Sequence, residues 1–313
     1  MSSAPIKTVA ITAATGALGS ALFKKLSASG LFTVRVLSTT GSTSAFPAGT
    51  DVVKVDYTSV SSLTSALQGI DAVVSAAGNE GIPGQKVLID AAIAAGVRRF
   101  LPSEFGSDLA VPKTKALPVF YFKVQTAEYL EAKVAELGPD SQFSYTYVYN
   151  SAFLDWGLAV GFLYDLRAQT PPPVWGTGDE PFSATTLASV GDAVVGVLSH
   201  PAETKNRAVY IRDIVLTQNK LITLVNELDL PGKEGWKQAK PASAAIEDVV
   251  GKAQKELAEG AAPGPGNMVP FLYPAIWNPE YNSGQWGKDN ELLGVKGVSE
   301  ADVKEIIRGV LAQ

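Results

Sequence analysis

The sequence predicts a doubly wound parallel α/β sheet followed by a smaller C-terminal α/β lobe. Two observations predict the sheet. Segments dense in Val, Ile and Leu alternate with segments of helical spacing from residue 6 to residue 149, and strands this apolar belong to a parallel sheet covered on both faces. Near the start, the run Val9-Ala10-Ile11 passes through Thr12-Ala13-Ala14-Thr15 into Gly16 and Gly19, where a helical pattern begins at once. A third observation separates the lobe: all five tryptophans, Trp156, Trp175, Trp236, Trp277 and Trp286, lie in the second half.

In chain order, strands are expected at 6–12, 32–37, 52–55, 71–76, 97–101 and 143–149. Helices are expected at 18–26, stopped by Gly30, then at 60–67, at 85–95, ending at Gly96, and at 123–137. Glycine stops a helix because it enters the left-handed region without a β-carbon penalty. A loop rich in Ser, Thr and Gly runs from the second strand to about Gly49. The second half is less regular. Pro171-Pro172-Pro173 breaks the chain, helices are expected at 187–198, 219–228, 242–259 and 299–311, and a strand at 208–211. Ser299 is the expected N-cap of the last helix. The expected division is a Rossmann domain at 1–152 and a mainly substrate-binding lobe at 153–313, with about 183–215 returning to the first sheet.

Composition removes several function classes. At 313 residues the chain can bury a large core, and 46% of it is hydrophobic. A net charge of −5 with no basic block argues against nucleic acid or an anionic membrane as partner. There is no cysteine, which excludes disulfides and thiolate chemistry, and the single histidine, His200, cannot build a multi-histidine metal site. No metal is expected. His200 precedes Pro201 at a predicted helix end, where a surface role near the helix dipole is the default. Met1 to Pro5 form a polar lead without an apolar signal region, and the apolar stretch 152–164 is too short to span a bilayer. A cytoplasmic protein is expected, with oligomerisation left open.

The order strand, Gly-rich turn, helix presents backbone N–H groups and a helix N-terminus to a dinucleotide pyrophosphate. Thr12, Thr15, Gly16, Ala17, Leu18 and Gly19 are therefore candidate cofactor contacts. Ala13 stands where the full Gly-x-x-Gly-x-x-Gly pattern has its first glycine, and a positive φ there would cost about 1–2 kcal/mol. The competing reading is a plain turn that binds nothing. A second candidate is Lys123. Lys123, Ala127, Leu130 and Val134 share one helix face, so the ammonium starts on the apolar side. Either its pKa is lowered by burial and it exchanges protons, or the first helical turn is exposed and it reaches water.

Four segments together resemble the NmrA-like, isoflavone-reductase-like branch of the atypical short-chain dehydrogenases. They are Thr15-Gly16-Ala17-Leu18-Gly19; Val97-Arg98-Arg99-Phe100-Leu101-Pro102-Ser103-Glu104-Phe105-Gly106; Lys123 opening a helix; and Tyr147-Val148-Tyr149-Asn150-Ser151-Ala152-Phe153. Phenylcoumaran benzylic ether reductases and pinoresinol–lariciresinol reductases belong to that branch. The likeness weakens after Trp175, although Trp277-Asn278-Pro279-Glu280-Tyr281-Asn282 resembles uncharacterised fungal members. The resemblance implies reduction of aromatic secondary metabolites with NADPH, and a proton-transfer role for Lys123. It requires no Tyr-x-x-x-Lys pair, and Val119 stands four residues before Lys123.

Two departures stand out. Where these reductases usually carry an arginine for the NADPH 2′-phosphate, this chain has Ser38-Thr39-Thr40-Gly41-Ser42, hydroxyls without charge assistance. No acidic residue is there for a ribose diol either, so NADP(H) is preferred on the resemblance and NAD(H) stays possible. Ser151 replaces a common glycine after Asn150. Ser38, Thr39, Ala77, Ser103, Lys123 and Asn150 complete the cofactor candidates with two more. Asp56 would touch adenine or cap the next helix; Ala76, with Ala77, would lie against the ribose or form an ordinary tight turn. Phe105, Phe153, Trp156 and Trp277 are the candidate substrate contacts, since an aromatic lobe suits an aromatic or apolar ligand. At least two tryptophans are expected in the lobe's core instead. The leading function is an NAD(P)H-dependent reductase. Alternatives are a dinucleotide-sensing regulator without turnover, and a redox-neutral isomerase or cyclase.

Overall fold

The structure, a computed structural model, describes residues 4–312; Met1 to Ser3 of the polar lead, and Gln313, lie outside the described residues. The first half alternates strands and helices: β1 (Thr8–Thr12), α1 (Ala17–Ala28), β2 (Thr33–Thr39), β3 (Asp51–Val55), α2 (Val60–Ala66), β4 (Ala72–Ser75), α3 (Gln85–Ala94), β5 (Arg99–Leu101), α4 (Pro112–Lys115), α5 (Tyr121–Leu137) and β6 (Ser144–Tyr149). The chain continues through β7 (Ala152–Phe153), α6 (Leu154–Ala159), β8 (Val174–Trp175), β9 (Phe182–Thr185), α7 (Leu187–Ser199), β10 (Arg207–Tyr210), β11 (Ile214–Leu216), α8 (Gln218–Leu228), α9 (Glu234–Gln238), β12 (Ser243–Ala244) and α10 (Ile246–Ala258).

Seven strands form one parallel sheet in the order β10-β6-β5-β4-β1-β2-β3. The order reverses at β1 and β4, the switch point where this architecture opens a crevice beyond the strands' C-terminal ends. Period-two alternation sends side chains to both faces. Val9 and Ile11 of β1 join Val36, Val74, Val148 and Val209 under α1 and α7. Ala10 joins Leu37, Val73 and Phe100 under α2, α3 and α5. Gly191 of α7 lets α1 come close, because a β-carbon there would lie 2.6 Å from Lys25 Cγ. Thr186 caps α7 by accepting from the Ser189 N–H.

The segment 183–216 divides between two sheets. β10 is the outermost strand beside β6, whereas β9 pairs with β7 and β11 in a separate three-stranded sheet. A third apolar cluster, with Leu158, Phe182, Val225, Trp236, Trp277 and Ile307, forms the core of the second lobe. The helix expected at 242–259 begins late. Ser243 and Ala244 pair in parallel with Val174 and Trp175, and α10 starts at Ile246. Helical periodicity could not exclude this two-residue strand, whose hydrogen bonds go to a segment about seventy residues away. No helix among the described residues is long and apolar enough to cross a membrane.

Candidate functional site

A cleft of about 510 Å³ opens at the C-terminal ends of β1, β2 and β4. Thr12, Ala13, Ala14 and Thr15 line it from the first turn, Ser38, Thr39, Ser42, Ser44 and Phe46 from the loop after β2, and Ser75, Ala77 and Gly78 from β4 onward. Ala13 has φ 51°, so the turn does use the left-handed conformation that its missing glycine would favour. Gly16 is the N-cap of α1 and offers no side-chain cap; its own N–H donates to the Ala13 carbonyl at 3.1 Å. The N–H groups of Ala17, Leu18 and Gly19 have no carbonyl four residues back within the helix. Glycine is obligatory at 19, where any β-carbon would collide with the Ala13 carbonyl. The size of the cleft, the uncapped helix N-terminus and the bare backbone at Gly16 fit the phosphate-bearing half of a dinucleotide.

The other candidates divide. Thr12, Thr15, Ser38, Thr39 and Ala77 line the cleft. Ser103 lies one strand further along, where its hydroxyl donates to the Ala77 carbonyl at 2.7 Å and its N–H donates to Gln85 Oε1 at 2.8 Å. It ties the end of β5 to the cleft wall. Asp56 is spent on a local turn: its Oδ1 accepts from the Thr58 N–H at 2.8 Å and the Thr58 hydroxyl at 2.7 Å. Those bonds hold its carboxyl below the ordinary value. Its neighbours Tyr57 and Thr58 line the cleft instead, while Ala76 is buried in the core.

Lys123, on the first turn of α5, neither lies free in water nor packs blindly against the sheet. Its ammonium donates to the Phe105 carbonyl at 2.8 Å, beside Gly106. The Gly106 carbonyl accepts the N–H groups of Asn150 at 3.1 Å and Ser151 at 2.9 Å. The turn at Phe105 and Gly106 thus joins two segments far apart in sequence, Lys123 on one side and Asn150–Ser151 on the other. Burial lowers the Lys123 pKa, with the Glu104 charge opposing. Burial also pushes the Glu104 carboxyl up to about 7, against the pull of Lys123. Glu104 is 1% exposed, and neither of its carboxyl oxygens has a hydrogen-bond partner among the described residues; Asn150 Oδ1 and Asp108 Oδ2 are likewise unpartnered. Ser151, at φ 55°, takes the left-handed conformation natural to glycine.

The substrate candidates separate in the same way. Trp156 is 40% exposed and meets the half-buried Phe153 edge-to-face at 6.2 Å. Trp277 is 2% exposed and packs on Phe162, Trp175, Phe182 and Tyr273. It fills the lobe's core, as does Trp236, because a small lobe needs large side chains to close it. The Phe105 ring is buried under the sheet, and its carbonyl is the group turned to Lys123. Sequence reasoning missed Gln85, Phe46 and Lys54. Lys54 donates to Ser38 Oγ at 3.3 Å and to the Ser42 carbonyl at 2.6 Å. A lone lysine inside the apolar strand 52–55 was the available signal. No group of three or more His, Cys, Asp or Glu able to hold a metal occurs among the described residues.

Sheet order, crevice and uncapped helix define a Rossmann-type α/β protein with its site at the strands' C-terminal edge. Comparison with known proteins carries this further. The NmrA-like family model matches residues 5–255. Oxidoreductase aprR of Aspergillus flavus is 34% identical over 223 residues, 70% of this chain and 73% of that protein. Oxidoreductase poxI of Penicillium oxalicum is 36% identical over 196 residues, 61% of this chain, which spans 60% of that relative's length. A solved structure described as AtPrR2 with NADP+ and (+)pinoresinol superposes with a TM-score of 0.72 at 21% identity, covering 97% of this chain and 99% of that one. The chain belongs to the NmrA-like family.

Proposed function

We propose that this protein is an NADP(H)-dependent oxidoreductase that reduces a small conjugated or aromatic compound, with Lys123 as the proton donor. The carrying observation is the half-buried Lys123 ammonium, held by a single carbonyl one strand away from a cleft of a size that suits a dinucleotide. The oxidoreductase names of the fungal relatives and the NADP+ bound to the AtPrR2 neighbour support the same reading. We assign cofactor binding to residues 1–152, substrate binding mainly to 153–313, and a cytosolic location.

Thr12, Thr15, Ser38, Thr39 and Ala77 would hold the cofactor, together with the uncapped N-terminus of α1. Reduced nicotinamide, when bound, supplies a hydride to an electrophilic carbon of the substrate. The chain's task is to deliver the matching proton. A lysine whose pKa is lowered by burial gives up its proton more readily near neutrality. The Phe105 carbonyl fixes the ammonium, and the exposed Trp156, braced edge-to-face by the half-buried Phe153, offers a face on which an aromatic substrate can stack.

The test is calorimetric titration with NADPH, NADP⁺, NADH and NAD⁺, followed by turnover assays on aromatic substrates with wild type and Lys123→Ala. Tight NADPH binding, and turnover that vanishes in the variant, is the expected result. No binding of any dinucleotide would remove the oxidoreductase reading. Unchanged turnover in the variant would remove Lys123 from it.

A further inference from the structure

The loop after β2 has hydroxyls and no arginine, yet it does not lack positive charge. β2 and β3 pair in parallel with Ser38 directly opposite Lys54, close to the strands' C-terminal edge. Partners on adjacent parallel strands project to the same face. The Lys54 ammonium accordingly reaches Ser38 Oγ at 3.3 Å and bridges to the Ser42 carbonyl at 2.6 Å. Both acceptors are neutral oxygens, and no carboxylate lies within ion-pairing distance of Lys54 among the described residues. The nearby acids have other partners: Asp51 pairs with Arg35 at 2.8 Å and Asp56 with Thr58. Glu80 also lines the cleft, but it follows β4, and β1 separates β4 from β2 in the sheet. An unneutralised ammonium therefore stands against Ser38 and Ser42, two of the hydroxyl residues that line the cleft.

We infer that Lys54, acting from β3 with Ser38 and Ser42, is the cation that selects a 2′-phosphorylated dinucleotide over its unphosphorylated counterpart. In this architecture the adenosine ribose lies at the end of β2. An acid there would accept hydrogen bonds from a ribose diol, and a cation with donors would accept a phosphate dianion. From 38 to 44 the loop has no acid, and Lys54 adds the charge that the hydroxyls lack. The ammonium now binds oxygens that a phosphate can replace, at little cost to an exposed side chain. This inference rests on the NADP(H) reading above.

The test is calorimetry of wild type, Lys54→Met and Lys54→Arg with NADPH, NADH and 2′,5′-ADP. NADPH and 2′,5′-ADP should bind the methionine variant about 10- to 100-fold more weakly, with NADH changed by less than about twofold. The salt dependence of NADPH binding should weaken in the same variant, and arginine should restore the preference. Thermal melts check that the exposed substitution leaves the fold intact. Equal losses for NADPH and NADH, or no loss, would overturn the role of Lys54 while leaving the cofactor reading in place. If wild type binds none of the three ligands, both fall.

Discussion

At the N-terminal end of β5, Arg99 is buried against a full set of partners. Its guanidinium donates to Ser144 Oγ at 3.0 Å, Thr146 Oγ1 at 2.8 Å, Thr204 Oγ1 at 2.9 Å and the Pro201 carbonyl at 2.5 Å. Just beyond its C-terminal end, Glu104 is as deeply buried and has no hydrogen-bond partner among the described residues, and Lys123 beside it has one. Burial lowers Arg99 only to about 10, so it stays charged at neutral pH. Glu104 is brought to about 7, where it exchanges protons readily. A buried charge satisfied on every side holds β5, β6 and the loop after α7 together. Buried groups left unsatisfied are costly to the fold, and such a cost persists where chemistry uses it.

Substitutions at the two ends should therefore fail differently. Lys123→Ala should give the largest effect, a turnover loss on the order of 10²- to 10⁴-fold with NADPH affinity nearly unchanged, read by steady-state kinetics beside calorimetry. Arg99→Met should do the reverse. Unfolding in urea should show a loss of about 2–3 kcal/mol, from the stranded Pro201 carbonyl and lost hydroxyl pairing, while folded protein keeps its NADPH affinity. A turnover defect in folded Arg99→Met would break the comparison.

Glu104→Gln sharpens it through pH. The Glu104 carboxyl is raised from 4.5 to about 7 in the folded protein, so its contribution to stability is full below about pH 4.5 and is lost as pH rises to about 7. Glutamine does not titrate. The melting temperature of the variant relative to wild type should climb by on the order of 5 °C across that window, then stay level. A flat difference from acid to neutral pH would show that Glu104 titrates normally. The smallest effect belongs to Ala13→Gly. Removing the β-carbon at φ 51° should stabilise by about 0.5–1 kcal/mol, the left-handed cost less the entropy of an added glycine.

The residues themselves determined the doubly wound sheet, the Gly-rich turn and the helix that starts at it. Apolar runs, their spacing and glycine stops are local properties, and local backbone energetics decide them. The same locality gives the cost of a positive φ at Ala13; that the turn adopts one, at 51°, belongs to the structure. Lys123 was half legible: its helical face pointed inward, but whether a first-turn lysine finds water depends on what packs above it. Only tertiary structure placed Phe105 and Gly106 there, and tied Asn150 to Gly106. It also assigned Trp277 to the core and Trp156 to the surface, since burial is a property of neighbours and the two side chains are identical. Lys54 is the sharpest case. Its strand was readable, but its pairing with Ser38 was not, because strand register in a parallel sheet is set by long-range hydrogen bonds and packing that no local pattern encodes.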